Sequence, residues 1–382
     1  MNPVSAADLL RQLVAVPSVN PAMSDDPALR DELRIVESLE PWFAARGFRV
    51  ERVGQTPGRP NLLARFGAAA PKKTILFESH LDTVGVTGYA GDPFALRAEG
   101  GRLYGRGACD TKGPLAAFMA ACDAEVLAAL ATSGVQIVWL GAIGEETGNL
   151  GAEEAIAAGL RADECVVLEP TDLHIVHAHK GACWFTVAVR GRAAHGSDPS
   201  RGDNAILKMP AVWKILDEAT AAAAQTRCDP ALGRPTVSVG TIRGGTGTNV
   251  VPDRCEIQVD RRLMPGESAA EVLGDLRRRL EAIPGGVEIG LLKEGLPFRT
   301  DPEAPLVRRF CAALEAAGVP PVREGAAWCS DAGPLAAVCG ETLVWGPGSI
   351  AQAHTTDEFI EAAALETGAA VLRRFLLAAA RG

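Results

Sequence analysis

The sequence lacks the features that mark several classes of protein. Its 382 residues contain no stretch of the ~20 apolar residues that a membrane-spanning helix needs. The formal net charge is -9, so the clustered Lys and Arg of a nucleic-acid-binding surface are not expected. The start, Met-Asn-Pro-Val-Ser, lacks the basic segment and uninterrupted apolar core of a signal peptide. We therefore expect a cytoplasmic protein that binds neither membranes nor nucleic acid.

The motifs of three common chemistries are also missing. The nine cysteines are scattered, odd in number and form no Cys-x-x-Cys pair, which argues against a disulfide framework and against a thiolate zinc site. No Gly-x-Ser-x-Gly elbow is present to carry a serine nucleophile. The glycines of residues 244–249 lack the strand, the spacing and the Lys of a phosphate-binding loop. The sequence therefore predicts neither serine chemistry nor nucleotide binding.

Length and apolar periodicity predict two domains. Strands and helices alternate through the first 180 residues, including a strand over 61–66, a helix over 113–130 and a strand over 135–140. This alternation is typical of an α/β sandwich built around a mainly parallel sheet.

The pattern changes after the run His179-Lys180-Gly181. From residue 182 the order becomes β-α-β-β-α-β, which is the ferredoxin-like unit. An α/β pattern then resumes and ends in a helix predicted over 357–378. We therefore predict a three-layer α/β catalytic domain made of residues 1–180 and 294–382, with a ferredoxin-like domain of residues 181–293 inserted into it.

Polar residues follow the ends of the predicted strands, where open α/β sheets place their sites. His80 and Asp82 end a buried strand, so the imidazole could bind a metal while the carboxylate holds the ring. Alone, this His-x-Asp pattern fits local structure equally well. Asp110 stands among glycines directly before a helix, where an ordinary N-cap is a sufficient explanation. Metal binding becomes the better interpretation of these residues only if further potential ligands follow other strands of the same sheet.

Further ligands do follow other strands. Glu145 and Glu146 are adjacent and point in different directions, so one can bind a metal while the other faces a water molecule. Glu169 closes the next strand, and His354 follows a turn-rich stretch late in the chain. Two imidazoles and three carboxylates suit divalent zinc, and also cobalt or manganese. This donor set consists of His80, Asp110, Glu146, Glu169 and His354.

A second group of histidines, His174, His177 and His179, is a weaker candidate. Strand periodicity places His177 and His179 on one face and His174 on the other. A strand that leads to a hinge between the domains is the preferred interpretation.

The candidate residues stand in five motifs that keep one order along the chain: Ser79–Val84, Gly105–Gly113, Gly144–Thr147, Glu169–Thr171 and Gly346–Glu358. Together these motifs resemble the acetylornithine deacetylase and succinyl-diaminopimelate desuccinylase family of metallohydrolases, which also contains aminoacylases, carboxypeptidases and dipeptidases. The stretch from Trp345 to His354 is most similar to the acetylornithine deacetylases. The stretch from Cys329 to Gly333 departs from them and leaves the acyl group and the side chain of the substrate open.

The resemblance implies two metal ions, with zinc as the first expectation. His80, Asp110 and Glu169 would hold one ion, and Asp110, Glu146 and His354 would hold the other. Glu145 would take a proton from the attacking water and deliver it to the leaving amine. Asp82 would support His80 from behind.

The resemblance also assigns roles within the inserted domain. His195 would stabilise the oxyanion, Arg261 would bind the substrate carboxylate, and Asn249 would make a polar substrate contact. A homodimer through the inserted domain would carry His195 and Asn249 to the neighbour's site. The expected reaction is hydrolysis of the amide bond of a small N-acyl amino acid. The alternatives on the same scaffold are a dipeptidase, a carboxypeptidase and a succinyl-diaminopimelate desuccinylase.

Overall fold

The computed structural model describes residues 4–381 and divides into two compact units. Unit 1 comprises the described residues up to His177, then Arg299–Glu324, and those from Ser330 on. Unit 2 comprises Ala178–Phe298 and Gly325–Cys329. Unit 2 therefore begins earlier and ends later than the predicted insertion of 181–293, and it also includes a short separate segment.

That separate segment belongs to unit 2 because of its contacts. The backbone N–H of Lys180 donates to the carbonyl of Ala326 over 3.0 Å. The ring of Trp328 lies 6.0 Å from that of His179. Neither contact is visible as a local pattern in the sequence, because about 150 residues separate the partners along the chain.

The described part of the chain contains sixteen strands, eleven α-helices and two short 3₁₀ helices, Pro199–Arg201 and Ile350–Gln352. The strands are β1 (Arg49–Val53), β2 (Asn61–Gly67), β3 (Lys73–His80), β4 (Arg97–Glu99), β5 (Arg102–Tyr104), β6 (Val135–Ala142), β7 (Ala162–Val167), β8 (Ile175–His179), β9 (Gly181–Arg190), β10 (Thr236–Gly244), β11 (Arg254–Leu263), β12 (Val287–Gly295), β13 (Phe298–Arg299), β14 (Arg323–Ala326), β15 (Cys339–Val344) and β16 (Phe359–Glu361). The helices are α1 (Ala6–Val14), α2 (Glu32–Ala44), α3 (Lys112–Ala121), α4 (Ala124–Ala131), α5 (Glu145–Gly148), α6 (Leu150–Ala157), α7 (Ala205–Thr226), α8 (Ala269–Leu280), α9 (Pro305–Ala316), α10 (Ala332–Ala336) and α11 (Ala362–Arg381).

The main sheet has the strand order β1-β2-β6-β3-β7-β15-β8-β13, and β14 pairs with β8. Four central strands, β6, β3, β7 and β15, run parallel to one another. Their carboxyl ends therefore meet at one edge of the sheet, as the sequence predicted. The strand β2 runs antiparallel to both of its neighbours, β1 and β6, which makes the whole sheet mixed.

Helices cover both faces of this sheet. On one face, Phe77 of β3 packs 4.8 Å from the ring of Phe118 in α3, and Trp139 of β6 stacks 4.5 Å from Phe43 in α2. Side chains alternate along a strand, so the residues next to Phe77 and Trp139 in these two strands point to the opposite face of the sheet. There α6 contacts β6, and α10 contacts β7 and β15. The three-layer α/β architecture is confirmed.

Unit 2 has the connectivity β9-α7-β10-β11-α8-β12 and the antiparallel strand order β10-β11-β9-β12. This is the ferredoxin-like arrangement predicted from the element order. Its core consists of alternate residues of β9 and β11, among them Phe185 and Ile257, packed under α7 and α8. The helix α7 continues to Thr226 because the Ala-rich stretch 218–224 favours helix.

Two predicted helices differ from the structure. The predicted helix 113–130 is two helices, because the Asp123 side chain accepts the N–H of Val126 over 2.9 Å and starts α4. The last helix begins at Ala362 rather than 357, because Phe359–Glu361 pairs with β5. Among the described residues no single helix is long and apolar enough to cross a membrane; α3 and α4 would meet the length and composition only as a pair bent by 68°.

Candidate metal centre

The parallel strands of unit 1 bring the five predicted ligands together. His80 is the last residue of β3, and Glu146 lies in α5, which follows β6. Glu169 comes two residues after β7, and His354 follows β15. Asp110 arrives from the loop that precedes α3. Four of these residues thus lie at or beyond the ends of strands that meet at one edge of the sheet, and the fifth lies in a loop beside that edge. All five converge on a single site.

Asp110 lies between two donor sets. One of its carboxylate oxygens is 2.9 Å from Nε2 of His80, and the other is 3.4 Å from Nε2 of His354. The His80 Nε2 atom lies 3.9 Å from a carboxylate oxygen of Glu169, and the His354 Nε2 atom lies 2.9 Å from one of Glu146. In each set the potential ligand atoms lie within 4.8 Å of one another. The two sets are those predicted, with Asp110 shared.

The donor chemistry fits two divalent cations. Three carboxylates and two imidazoles converge, and a carboxylate oxygen of the Glu146 side chain is buried without a hydrogen-bond partner. Such an oxygen is costly to bury unless a cation or a donor reaches it. The ligands are nitrogen and oxygen atoms with no thiolate, a combination typical of zinc, cobalt or manganese.

The electrostatics of the site lead to the same conclusion. Hydrogen bonds to Asp110 and Glu146 raise the pKa of His354 to about 10. Burial raises the pKa of Glu169 well above its usual range, and His80 opposes this rise. The field that favours a proton on His354 also favours a metal cation among these groups.

Asp82 supports the site through both its main chain and its side chain. The Nδ1–H of His80 donates to the Asp82 carbonyl over 2.8 Å, which leaves Nε2 as the ligand atom. The carboxylate of Asp82 accepts the N–H groups of Glu145 and Glu146 over 3.1 and 3.2 Å. Asp82 therefore fixes both a ligand ring and the start of α5. Asn20 fixes Asp82 in turn, since its Nδ2 donates to the carboxylate over 2.7 Å.

Glu145 meets the requirements for a general base. It is the sequence neighbour of a ligand, yet it belongs to neither donor set. Burial raises the pKa of Glu145 well above its ordinary value. A carboxyl group whose pKa is shifted upwards can both accept and return a proton near neutral pH.

The loop that carries Asp110 is held by a buried ion pair. Glu358 accepts the backbone N–H groups of Gly107, Cys109 and Asp110 over 2.9, 2.8 and 3.0 Å. Arg106 donates to Glu358 over 2.7 Å and to the carbonyl of Thr355 over 3.1 Å, beside His354. The pair therefore ties together the two segments that supply Asp110 and His354.

Sequence reasoning assigned no role to Asn20, Arg106, Glu358 or Asp331. Asp331 is buried, and its carboxylate accepts a hydrogen bond from Asn149 over 2.8 Å. Arg106 and Glu358 both stand inside motifs that carried the family resemblance, and that is the signal that could have identified them. Asp331 lies outside the five motifs, in the stretch from Cys329 to Gly333. Asn20 lies outside the motifs, and its contact with Asp82 spans 62 residues of sequence.

His195 and Asn249 lie side by side in unit 2. The N–H of Gly196 donates to the carbonyl of Asn249 over 2.7 Å, and His195 forms a bridge with Val250. Both side chains are exposed, and Nδ1 of His195 lies 2.7 Å from Oγ of Ser197. The structure therefore places His195 and Asn249 next to each other through backbone contacts of their segments.

Arg261 lies where a substrate role is not favoured. Its side chain is buried in unit 2, and its Nη2 donates to both carboxylate oxygens of Glu267 over 3.1 and 3.4 Å. Arg262 points to the opposite face of β11 because side chains alternate along a strand. Its side chain is partly exposed and pairs with Asp260 over 3.0 Å. Of the two guanidinium groups, that of Arg262 is the more accessible.

The histidines of the segment 174–179 join neither donor set within residues 4–381. The Nδ1 atom of His177 lies 3.0 Å from the carbonyl of Thr300, and that of His179 lies 2.9 Å from the carbonyl of Lys180. Both histidine side chains thus have backbone carbonyls as partners.

Comparison with known proteins identifies the scaffold. The sequence model of Peptidase family M20/M25/M40 matches residues 76–378. The chain belongs to this peptidase family. It is therefore a metal-dependent hydrolase, in agreement with the two donor sets.

Similar proteins match this chain over nearly its whole length. An acetylornithine deacetylase of Vibrio vulnificus is 33% identical over 367 residues, which cover 93% of each chain. A metallo-carboxypeptidase of the same family from Sulfolobus solfataricus superimposes with a TM-score of 0.79 at 19% identity, covering 96% of this chain and 97% of that one. A dinuclear metal-binding peptidase of the family from Bacillus subtilis gives 0.72 at 14% identity over 98% and 97%. The resemblance predicted from the five motifs is confirmed.

Proposed function

We propose that the protein hydrolyses the amide bond of a small N-acyl amino acid, with N-acetylornithine as the first substrate to test. The observation that carries this proposal is the pair of donor sets that share Asp110, with the unligated Glu145 next to them. The 33% identity to an acetylornithine deacetylase supports the acetyl group and the amino acid.

In this proposal His80, Asp110 and Glu169 hold one divalent ion, and Asp110, Glu146 and His354 hold the other, zinc being the first expectation. Bound cations would polarise the scissile carbonyl and lower the pKa of water, so that hydroxide is available near neutral pH. Asp82 keeps the Nε2 atom of His80 turned towards the site, because its backbone carbonyl accepts a hydrogen bond from the Nδ1–H group.

Glu145 moves the proton. Its carboxylate accepts a proton from the attacking water and later delivers it to the amine nitrogen as the C–N bond breaks. Asp82 positions this carboxylate by accepting the backbone N–H of Glu145 over 3.1 Å. The raised pKa of Glu145 suits both transfers, because the group can hold the proton between the two steps.

A hydrolysis panel tests the proposed substrate. N-acetyl, N-succinyl and N-carbamoyl amino acids and a set of dipeptides are compared with zinc or cobalt added. The proposal predicts the highest kcat/KM for an N-acetyl amino acid. A preference for dipeptides, or for peptides that lose their C-terminal residue, would contradict the proposal. It would favour the peptidase alternative, which the Sulfolobus carboxypeptidase illustrates.

We further propose a homodimer through unit 2. The strand β10 is an edge strand, and α7 packs against it. Leu207 on α7 is 76% exposed, and Ile242 on β10 is 52% exposed. Exposed aliphatic side chains beside unpaired backbone groups are typical of a surface that pairs with another chain.

The dimer would let His195 and Asn249 act in the neighbour's site, where His195 would stabilise the oxyanion. Inactive His195→Ala subunits are mixed with inactive Glu145→Ala subunits under conditions of subunit exchange. The proposal predicts partial recovery of activity, because one site of a mixed dimer keeps both groups. Proven exchange without recovery would show that His195 acts within its own chain or has no role. We also propose a cytoplasmic location, which is supported by the nine cysteines, all of them free, as is typical of proteins in a reducing compartment.

A further inference from the structure

The turn that leads into Glu145 is held by a buried carboxylate from a distant part of the chain. Glu32 is the first residue of α2, and its side chain is fully buried. Its Oε1 atom accepts the backbone N–H of Gly144, the residue before Glu145, over 3.0 Å. This contact joins residues 112 positions apart. Glu32 therefore reaches the main chain of the proposed general base.

Arg59 completes this contact. Its Nη2 donates to Oε1 of Glu32 over 2.7 Å, and its Nε donates to the other oxygen of the same carboxylate. A Cβ atom at position 144 would lie 3.3 Å from Nη2 of Arg59, so the guanidinium lies directly over the turn. Burial raises the pKa of Glu32, and the hydrogen bond from Arg59 opposes this rise. Arg59 thus favours the ionised form of Glu32, which can only accept hydrogen bonds.

The ordinary reasons for an acidic residue at the start of a helix do not account for this arrangement. An acid in the first turn stabilises a helix from an exposed position as well. The cap of α2 is supplied by Asp31, whose side chain accepts the N–H of Leu33 over 2.9 Å. Replacing a buried ion pair by apolar residues is often neutral or stabilising, so stability gives little reason to bury Glu32.

The backbone of Gly144 determines how the chain enters α5. Its φ of 70° lies in the left-handed region, which glycine adopts readily. Because Gly144 directly precedes Glu145, its dihedral angles set the direction in which the Glu145 side chain leaves the main chain. On the other side of this peptide unit, Asp82 accepts the N–H groups of Glu145 and Glu146. Two buried carboxylates from different elements thus hold three consecutive N–H groups.

We propose that Glu32, together with Arg59, is a positioning residue for the carboxylate of Glu145. The proposal rests on the proposed function in one respect, the role of Glu145 as the general base. Glu32 fixes the N–H of Gly144 and Asp82 fixes that of Glu145, so the main chain is anchored at two successive peptide units. Glu32 and Arg59 belong to neither donor set, so loss of the pair should lower kcat while metal content is kept.

Kinetics of the metal-loaded enzyme test the proposal. Arg59→Met and Glu32→Gln break the pair, whereas Arg59→Lys keeps a cation beside Glu32. The matched control is Arg52→Met, because Arg52 pairs with Glu40 of the same helix over 2.6 Å and both side chains are about a third exposed. Each variant is measured on the best amide of the hydrolysis panel, whichever that is. Circular dichroism checks the fold, and Glu32→Gln decides the result if Arg59→Met does not fold.

We expect kcat of Arg59→Met to fall by about 10- to 100-fold, because a reacting group displaced by ~1 Å can lose that much rate. KM and metal content should change little, Arg59→Lys should recover most of the loss, and Arg52→Met should behave as wild type. In a Glu145→Gln background, Arg59→Met should add little, because the group that it positions is already replaced. An equal fold-loss in both backgrounds, or a loss confined to KM or metal content, would overturn the proposal.

Hydrogen exchange of the metal-free protein gives a readout that is independent of catalysis. Mass spectrometry of a peptide that spans the turn should show faster exchange in Arg59→Met and Glu32→Gln than in wild type and Arg52→Met. Unchanged protection in both variants would also overturn the proposal. Normal turnover of Arg59→Met beside a nearly inactive Glu145→Gln would contradict only the positioning role. Near-normal turnover of Glu145→Gln would instead contradict the proposed function.

Discussion

Replacing Glu358 by Gln should destabilise unit 1 and loosen the metal centre. The Glu358 carboxylate is buried and accepts three backbone N–H groups of the Asp110 loop as well as Arg106. Gln has nearly the same shape but no charge, and its NH₂ group would face donors. The buried guanidinium of Arg106 would then lack its counter-charge. Removing one partner of a buried ion pair typically costs about 3–5 kcal/mol in unfolding free energy.

Urea denaturation of the metal-free protein measures this loss without a contribution from bound metal. The matched control is Glu361→Gln, because Glu361 forms an ion pair of 2.8 Å with Arg102 in which both side chains are about half exposed. An exposed pair contributes about 0–1 kcal/mol, so the control should unfold almost like wild type. Zinc titration should then show weaker binding by Glu358→Gln and unchanged binding by the control. A Glu358→Gln variant as stable as the control would refute the reasoning.

Three further predictions concern single side chains. Glu145→Gln should keep its metal content while turnover falls ~10²–10⁴-fold, the usual contribution of proton transfer, and near-normal turnover would remove Glu145 from the mechanism. Burial lowers the pKa of His179 from its usual 6.5 to about 4. Between pH 6.5 and pH 4 the unfolded state therefore binds more protons than the folded state, so the free energy of unfolding falls as the pH drops below 6.5. His179→Asn cannot titrate, and the gap in unfolding free energy between wild type and this variant should shrink between pH 7 and pH 4.5; a constant gap would contradict the shift. Arg262→Met should raise KM for a substrate with a free carboxylate and leave its amidated analogue unaffected, whereas Arg261→Met should not discriminate between the two; the reverse result would restore the role first predicted for Arg261.

The main features of the site were predictable because they depend on strand ends. His80, Glu146 and Glu169 each follow a recognisable apolar strand, and parallel strands must bring their carboxyl ends to one edge. The βαββαβ order of unit 2 was equally readable from its periodicity. In both cases a local pattern determines the placement of the residue.

Other features depend on contacts that sequence patterns do not record. The hydrogen bond from the Asp110 N–H to Glu358 joins residues 248 positions apart, and no local pattern indicates which buried acid will hold that loop. Arg261 is a different case, because strand alternation places it with Val259 and Leu263 and already indicated a buried side chain. The resemblance assigned the binding of the substrate carboxylate to Arg261, whereas the more accessible guanidinium belongs to the next residue, Arg262.

The central claim is that two shared donor sets make a metal-dependent amide hydrolase. The most direct test removes all metal by chelation and then titrates zinc while bound metal per chain and hydrolysis of N-acetylornithine are followed together. The account predicts no activity without metal, saturation at two ions per chain as the two donor sets require, and activity that rises with occupancy. Full activity in a preparation that elemental analysis shows to be free of divalent metal would contradict it.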